Sequence, residues 1–142
     1  MPRINWVRLI VGTLVAAIIL FVTDGFTHET WLEPDWLAVY NNLRATRPEE
    51  TPVSTIYFAI FELGRGVIAM LLYVLMRDRF SPGPKTAVLA GVVTWVAFSL
   101  TGPAQFIPLG FFSNVLWIKL GIAHLVTTVI ATIAGAAIYK SE

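Results

Sequence analysis

Four long apolar stretches, separated by polar or proline-rich breaks, set the terms on which this chain can fold. They run from about Trp6 to Phe26, Thr55 to Met76, Thr86 to Thr101 and Val115 to Tyr139. A helix needs about 20 mainly apolar residues to cross the hydrocarbon core of a bilayer. Helices suit that task because every backbone polar group must find its partner within the membrane. The expected fold is therefore all-α: a single transmembrane domain over residues 1–142, with four antiparallel spans in a bundle. Charge agrees with this. Only 13% of the residues are charged, against about 25% in a typical soluble domain. A chain of 142 residues has too little interior to hide so much apolar surface from water.

Composition also removes several function classes. The net charge is +1 and no basic patch is interleaved with aromatics, so nucleic acid is not an expected partner. There is no cysteine, which excludes disulfides, thiolate metal sites and cysteine nucleophiles. No G-x-S-x-G, H-E-x-x-H, P-loop or dinucleotide glycine fingerprint occurs, and no catalytic residues are assigned.

The first stretch follows Arg3 and Arg8, as a signal peptide would, but lacks a small-x-small cleavage site before Asp24. It reads as a retained span. Lys and Arg near helix ends set orientation. Arg3, Arg8, Arg77, Arg79, Lys85 and Lys140 fall on one side, Arg44 and Arg47 on the other. This asymmetry predicts both termini in the cytoplasm.

The long first outer loop, residues 27–54, contains Pro34, which can open a short helix over about residues 34–44. Trp36, Leu37, Tyr40 and Leu43 would share its apolar face. Two placements stay open: flat in the headgroup region, or packed on the end of the bundle. Pro82-Gly83-Pro84 forces a sharp reversal between spans two and three. The second outer connection, with Gly102-Pro103 and Pro108 among four aromatic or branched residues, is too apolar to be a solvated loop.

Lipid gives helices little hydrophobic reason to associate, so close packing of small residues must contribute. Ala123, Thr127, Ala131 and Gly135 make such a face on span four, with Gly12 and Ala16 spaced alike on span one. Packing within the chain is one use for this face, and a second protein is another.

Ionisable residues inside spans are functional hypotheses by default. Here they are Asp24, Glu62, Arg65, Lys119 and His124. At ~1.5 Å per residue, Asp24 would lie ~3 Å below the outer boundary, Lys119 ~6–8 Å, Glu62 ~10–12 Å, and Arg65 and His124 ~15 Å. Glu62 and Arg65, at i and i+3, can pair, and Lys119 should reach Glu62 more easily than Asp24 does. A structural ion-pair network, a proton or ion path and a ligand cavity all fit this set. Glycines 64 and 66 flank Arg65 and would let a neighbouring helix approach. The two histidines, His28 and His124, should differ in depth by more than ~15 Å, which argues against a shared haem. Asp24, His28 and Glu29 could together hold a metal near the outer face, but one helix turn with no further histidine is a weak pointer, and a solvated helix end is the favoured reading. No metal or cofactor is expected from these residues. A lipid, quinone or pigment between helices stays open.

The inner hairpin from Arg77 to Gly91 (RDRFSPGPKTAVLAG), followed by Trp95, resembles a loose group of small four-span bacterial inner-membrane proteins with no known activity. The end of the last span, Ala131 to Lys140 (ATIAGAAIYK), is similar too. This resemblance implies a bacterial cytoplasmic membrane and four-helix architecture, and no chemistry. Two function classes follow. One is a non-catalytic accessory subunit or assembly partner in a respiratory, photosynthetic or transport complex. The other is a small oligomeric transporter, channel or ligand-binding protein.

Overall fold

The computed structural model describes residues 4–139. Arg3 and Lys140, both counted in the charge asymmetry, lie outside the described residues. Among the described residues six α-helices form: α1 (Trp6–Thr30), α2 (Glu33–Asn42), α3 (Pro52–Phe80), α4 (Pro84–Trp95), α5 (Thr101–Ala104) and α6 (Asn114–Ile138). A π-helical turn, Val96–Leu100, joins α4 to α5. Pro84–Ala104 is therefore one nearly continuous rod. With α1, α3 and α6 it makes four helices long and apolar enough to cross a membrane.

The starts of three of these helices are capped by side chains. Asn5 Oδ1 accepts from the Arg8 amide at 3.1 Å, capping α1. Thr51 and Ser54 bond reciprocally at the start of α3, and Pro52 occupies its first turn. Ser113 Oγ accepts from the Leu116 amide at 3.0 Å at the start of α6. Each cap satisfies amide donors that a helix end leaves open. The α3–α4 reversal is closed from the following helix, where the Thr86 hydroxyl lies 2.6 Å from the Ser81 carbonyl and 3.2 Å from that of Phe80. Gly83 has φ +143° there, a conformation open mainly to glycine.

The four long helices form a ring in which α1 touches α3 and α6, and α4 touches the same two. The end carrying the Ser81–Gly83 turn is the hairpin end; the opposite end, carrying α2, is the loop end. Near the hairpin end the bundle is packed on small residues. A Cβ added at Gly135 would lie 2.6 Å from the Gly12 carbonyl oxygen. One at Gly91 would lie 3.0 Å from the Val129 Cα. Ala16, Ala87, Ala90 and Ala131 are fully buried around Met70 and Leu20. The small face of α6 is thus used inside the chain.

At the loop end α2 packs on the bundle. Trp36 and Val39 cover a cluster of Leu32, Leu116 and Leu120, while Leu37 and Leu43 point outward. The apolar face read from the sequence is split, because the bundle end meets only part of it. The π turn, in which the Thr101 amide donates to the Val96 carbonyl, lies just before Pro103, whose ring leaves the Ser99 carbonyl without its usual helical donor. Two indoles from facing helices bridge this region. Trp117 Nε1 donates to the Leu100 carbonyl at 2.9 Å, and Trp95 Nε1 to that of Gly121 at 2.8 Å.

The helix α3 is unlike the other three. It buries Glu62, Arg65, Gly66, Ala69, Met70, Tyr73 and Val74, and nothing before them. From Pro52 to Ile60 its side chains are exposed on every side, apart from partly covered Ser54, and the half-exposed Phe61 meets the Phe98 ring edge-on at 6.4 Å between centroids.

Candidate polar site within the bundle

Where α3 joins the bundle, Arg65 is the largest fully buried side chain among the described residues. Its guanidinium connects three helices. Nη1 donates to Asp24 Oδ2 on α1, and lies 2.8 and 3.1 Å from the two Glu62 oxygens one turn away. Nη2 donates to Thr128 Oγ1 on α6 at 2.6 Å. The Thr127 hydroxyl donates to Asp24 Oδ1 at 2.8 Å. His124 completes the set, with Nε2 at 3.4 Å from Asp24 Oδ2. Charge-assisted bonds of this kind are roughly twice as strong as neutral ones, and three helices are fixed by one side chain.

Two buried nitrogens in the site have no hydrogen-bond partner among the described residues: Arg65 Nε and His124 Nε2. Toward the loop end, the His124 ring lies 5.5 Å from the His28 ring, centroid to centroid. His28 accepts at Nδ1 from Trp36 Nε1 at 2.8 Å, which places the proton of a neutral His28 on Nε2. A run of imidazoles therefore leads from α2 to Asp24. Toward the hairpin end Ala16, Met70, Ala131 and Thr132 are fully buried, and the Gly12–Gly135 contact closes the packing. The site is polar on one side and sealed on the other. A cleft of about 360 Å³ lies at the hairpin end, lined by Tyr73, the Pro82–Pro84 turn, Ala87 and the last turns of α6. It carries no charged side chain.

Three expectations are corrected. Lys119 does not join Glu62. It pairs with Asp35 on α2 at 2.7 Å, while Asp24 takes the place beside Arg65 and Glu62. Asp24 and Arg65 are in contact, rather than about 12 Å apart in depth at ~1.5 Å per residue. The rings of His28 and His124 are neighbours, rather than more than ~15 Å apart, so the depth argument against a shared ligand falls. The cause is common to all three. Each depth is counted from the start or end of its own span, but α1 runs on to Thr30 and the first turns of α6 rise beside α2. The first turns of α3 are exposed on every side and bury nothing against the bundle, so counting from its start does not give depth in the bundle. Of the flanking glycines, Gly66 meets the Thr13 carbonyl and Ala17 of α1, whereas Gly64 faces open space.

Asp24, His28 and Glu29 are drawn to three different partners: Arg65, Trp36 and Arg47. No group of three His, Asp or Glu among the described residues is arranged to hold a metal ion. Outside the spans, Arg47 bonds Glu29 at 2.7 Å and Glu33 at 3.3 Å. The hydrogen bond and charge of Glu29 raise the Arg47 guanidinium above its ordinary pKa. This pair ties the loop to the end of α1.

Sequence reasoning does not assign Thr127, Thr128, Trp36 or Leu32 to these contacts. Thr127 and Thr128 lie three and four residues from His124, the spacing of one helix face, and that spacing is the signal that could have found them. No protein-family model, curated protein or solved structure matches the chain.

Proposed function

We propose that this chain is a non-catalytic accessory subunit of a larger membrane complex, which it joins through the outer turns of α3. The observation that carries this reading is the exposed segment from Pro52 to Phe61. Val53, Ile56, Tyr57, Phe58, Ile60 and Phe61 are all exposed there. A helix apolar all round is the mark of a segment surrounded by other apolar matter. The remaining long helices each bury a stripe along most of their length, so this one is set apart for a neighbour. Further support comes from the polar site, whose groups mostly bond one another, and from the sealed packing below it, which offers an ion no way through one copy.

The reading includes a bacterial cytoplasmic membrane, with the hairpin end inside. Arg77, Arg79 and Lys85 gather at that end, and positive charge accumulates on the cytoplasmic side. The partner is another membrane subunit, with lipid covering the rest. A small transporter or ligand-binding protein is the competing reading, favoured by the unpartnered His124 Nε2.

The experiment is the native mass of the untagged protein, gently extracted from its own membranes, with mass spectrometry of what co-migrates. Co-migration with other subunits at a fixed ratio is expected. Migration as a lone monomer or small homo-oligomer would overturn the subunit reading and direct attention to Asp24, Glu62, Arg65 and His124 as a transport or binding site.

A further inference from the structure

The inventory of protons around Arg65 does not balance. Two carboxylates, Asp24 and Glu62, share one guanidinium nitrogen. That nitrogen has two hydrogens, yet three carboxylate oxygens approach it: Asp24 Oδ2 and both oxygens of Glu62. With both acids ionised and His124 neutral, the site would carry one negative charge out of contact with water. Every element packed around it has the same answer. The first helix contributes Asp24 and His28, α3 contributes Glu62 and Arg65, and α6 contributes His124 with the neutral Thr127 and Thr128. Glu29, one turn beyond Asp24, is held by Arg47 at the loop end. The rod from Pro84 to Ala104 brings no charge, since its sole ionisable residue, Lys85, sits at the hairpin end. The nearest other cation on α6, Lys119, is already bound to Asp35. An uncompensated buried charge is costly, and two acids forced together resolve the conflict by holding a proton.

We propose that Asp24 and Glu62 form a proton-binding pair, sharing one proton taken from the aqueous phase at the loop end. The proton makes the Asp24–Glu62–Arg65 cluster neutral and supplies the missing hydrogen among its three converging oxygens. Exchange runs from the loop end because the hairpin side is closed by Met70, Ala131 and the Gly12–Gly135 contact. His124, whose buried Nε2 lacks a partner and faces Asp24 Oδ2, stands between the pair and His28. This inference stands on the cluster alone and does not depend on the subunit reading.

The test is infrared spectroscopy of the full chain in lipid at neutral pH, reading the carbonyl stretch of a protonated carboxyl group. The native chain should show this band. Glu62→Gln and Asp24→Asn should each lose it entirely, because either change leaves one acid against one arginine and removes the need for the proton. Both substitutions keep side-chain shape, and loss of the band in both is required; Asp24→Ser or Glu62→Ser takes the place of one that does not fold. Absence of the band from the native chain would overturn the proposal. So would its survival in either variant, which would place the proton on one acid acting alone or elsewhere.

Discussion

In the hairpin half of the bundle, helices meet backbone to backbone, with Gly12 against Gly135 and Gly91 against Val129. In the loop half they meet through side chains that donate and accept: Arg65 across three helices, and the indoles of Trp95 and Trp117 onto carbonyls. The first half leaves no room for a side chain at its glycine contacts, and the second depends on polar groups that partner one another across helices. Close packing gives helices in lipid an association that apolar surface alone does not. The polar joint adds direction, since one guanidinium fixes which helix faces turn inward.

Substitutions can break this contrast in either half. The largest effect is expected at Gly135→Leu, whose added atoms meet the Gly12 carbonyl and Met70 Sδ. The backbone cannot yield without parting α1 from α6, so the variant should fail to give a monodisperse protein on gel filtration in detergent. Next comes Arg65→Gln, which leaves two buried acids without their cation. Breaking a buried pair costs about 3–5 kcal/mol, and thermal unfolding in detergent should show a large fall in midpoint. A paired test sharpens the steric side. Gly66→Ala places a Cβ 3.1 Å from the Thr13 carbonyl and should destabilise by roughly 1–3 kcal/mol, as overpacking does. Gly64→Ala, two residues away, meets nothing and should be neutral or slightly stabilising on the same assay. Equal losses at both glycines would contradict the packing account. The smallest loss belongs to Trp117→Phe, which removes one hydrogen bond to the Leu100 carbonyl. About 1 kcal/mol is expected, with faster amide exchange confined to the Val96–Leu100 turn.

The architecture is legible in the sequence because length and apolarity alone determine a span. Pro82-Gly83-Pro84 marks the reversal, whereas the caps at Asn5, Thr51 and Ser113, which set the helix starts, emerge only in the structure. The membership of the polar site is legible only in part. Glu62 and Arg65 share a helix face, so their pairing at 2.8 Å follows from local geometry. Asp24 and Lys119 are matters of register between different helices, and no local rule fixes register. Lys119 is drawn to Asp35 because α2 folds back over the start of α6, a tertiary fact that the pattern around Pro34 leaves open. The exposure of the first turns of α3 is invisible for a related reason. Its apolar residues from Val53 to Phe61 look the same in sequence whether lipid, protein or the chain itself covers them.

The central claim is that these exposed turns face another subunit, and the absence of native cysteine makes it directly testable. Single cysteines at Phe58 on α3 and at Ile18 on α1 would be compared, since the two native side chains are 64% and 63% exposed. A short thiol-reactive cross-linker would be applied in native membranes and the adducts weighed. Phe58→Cys should yield one adduct of fixed mass containing a second membrane protein, and Ile18→Cys should yield none. No adduct at either position, or the same adducts at both, would mean that lipid covers α3 as it covers α1, and the subunit account would fail.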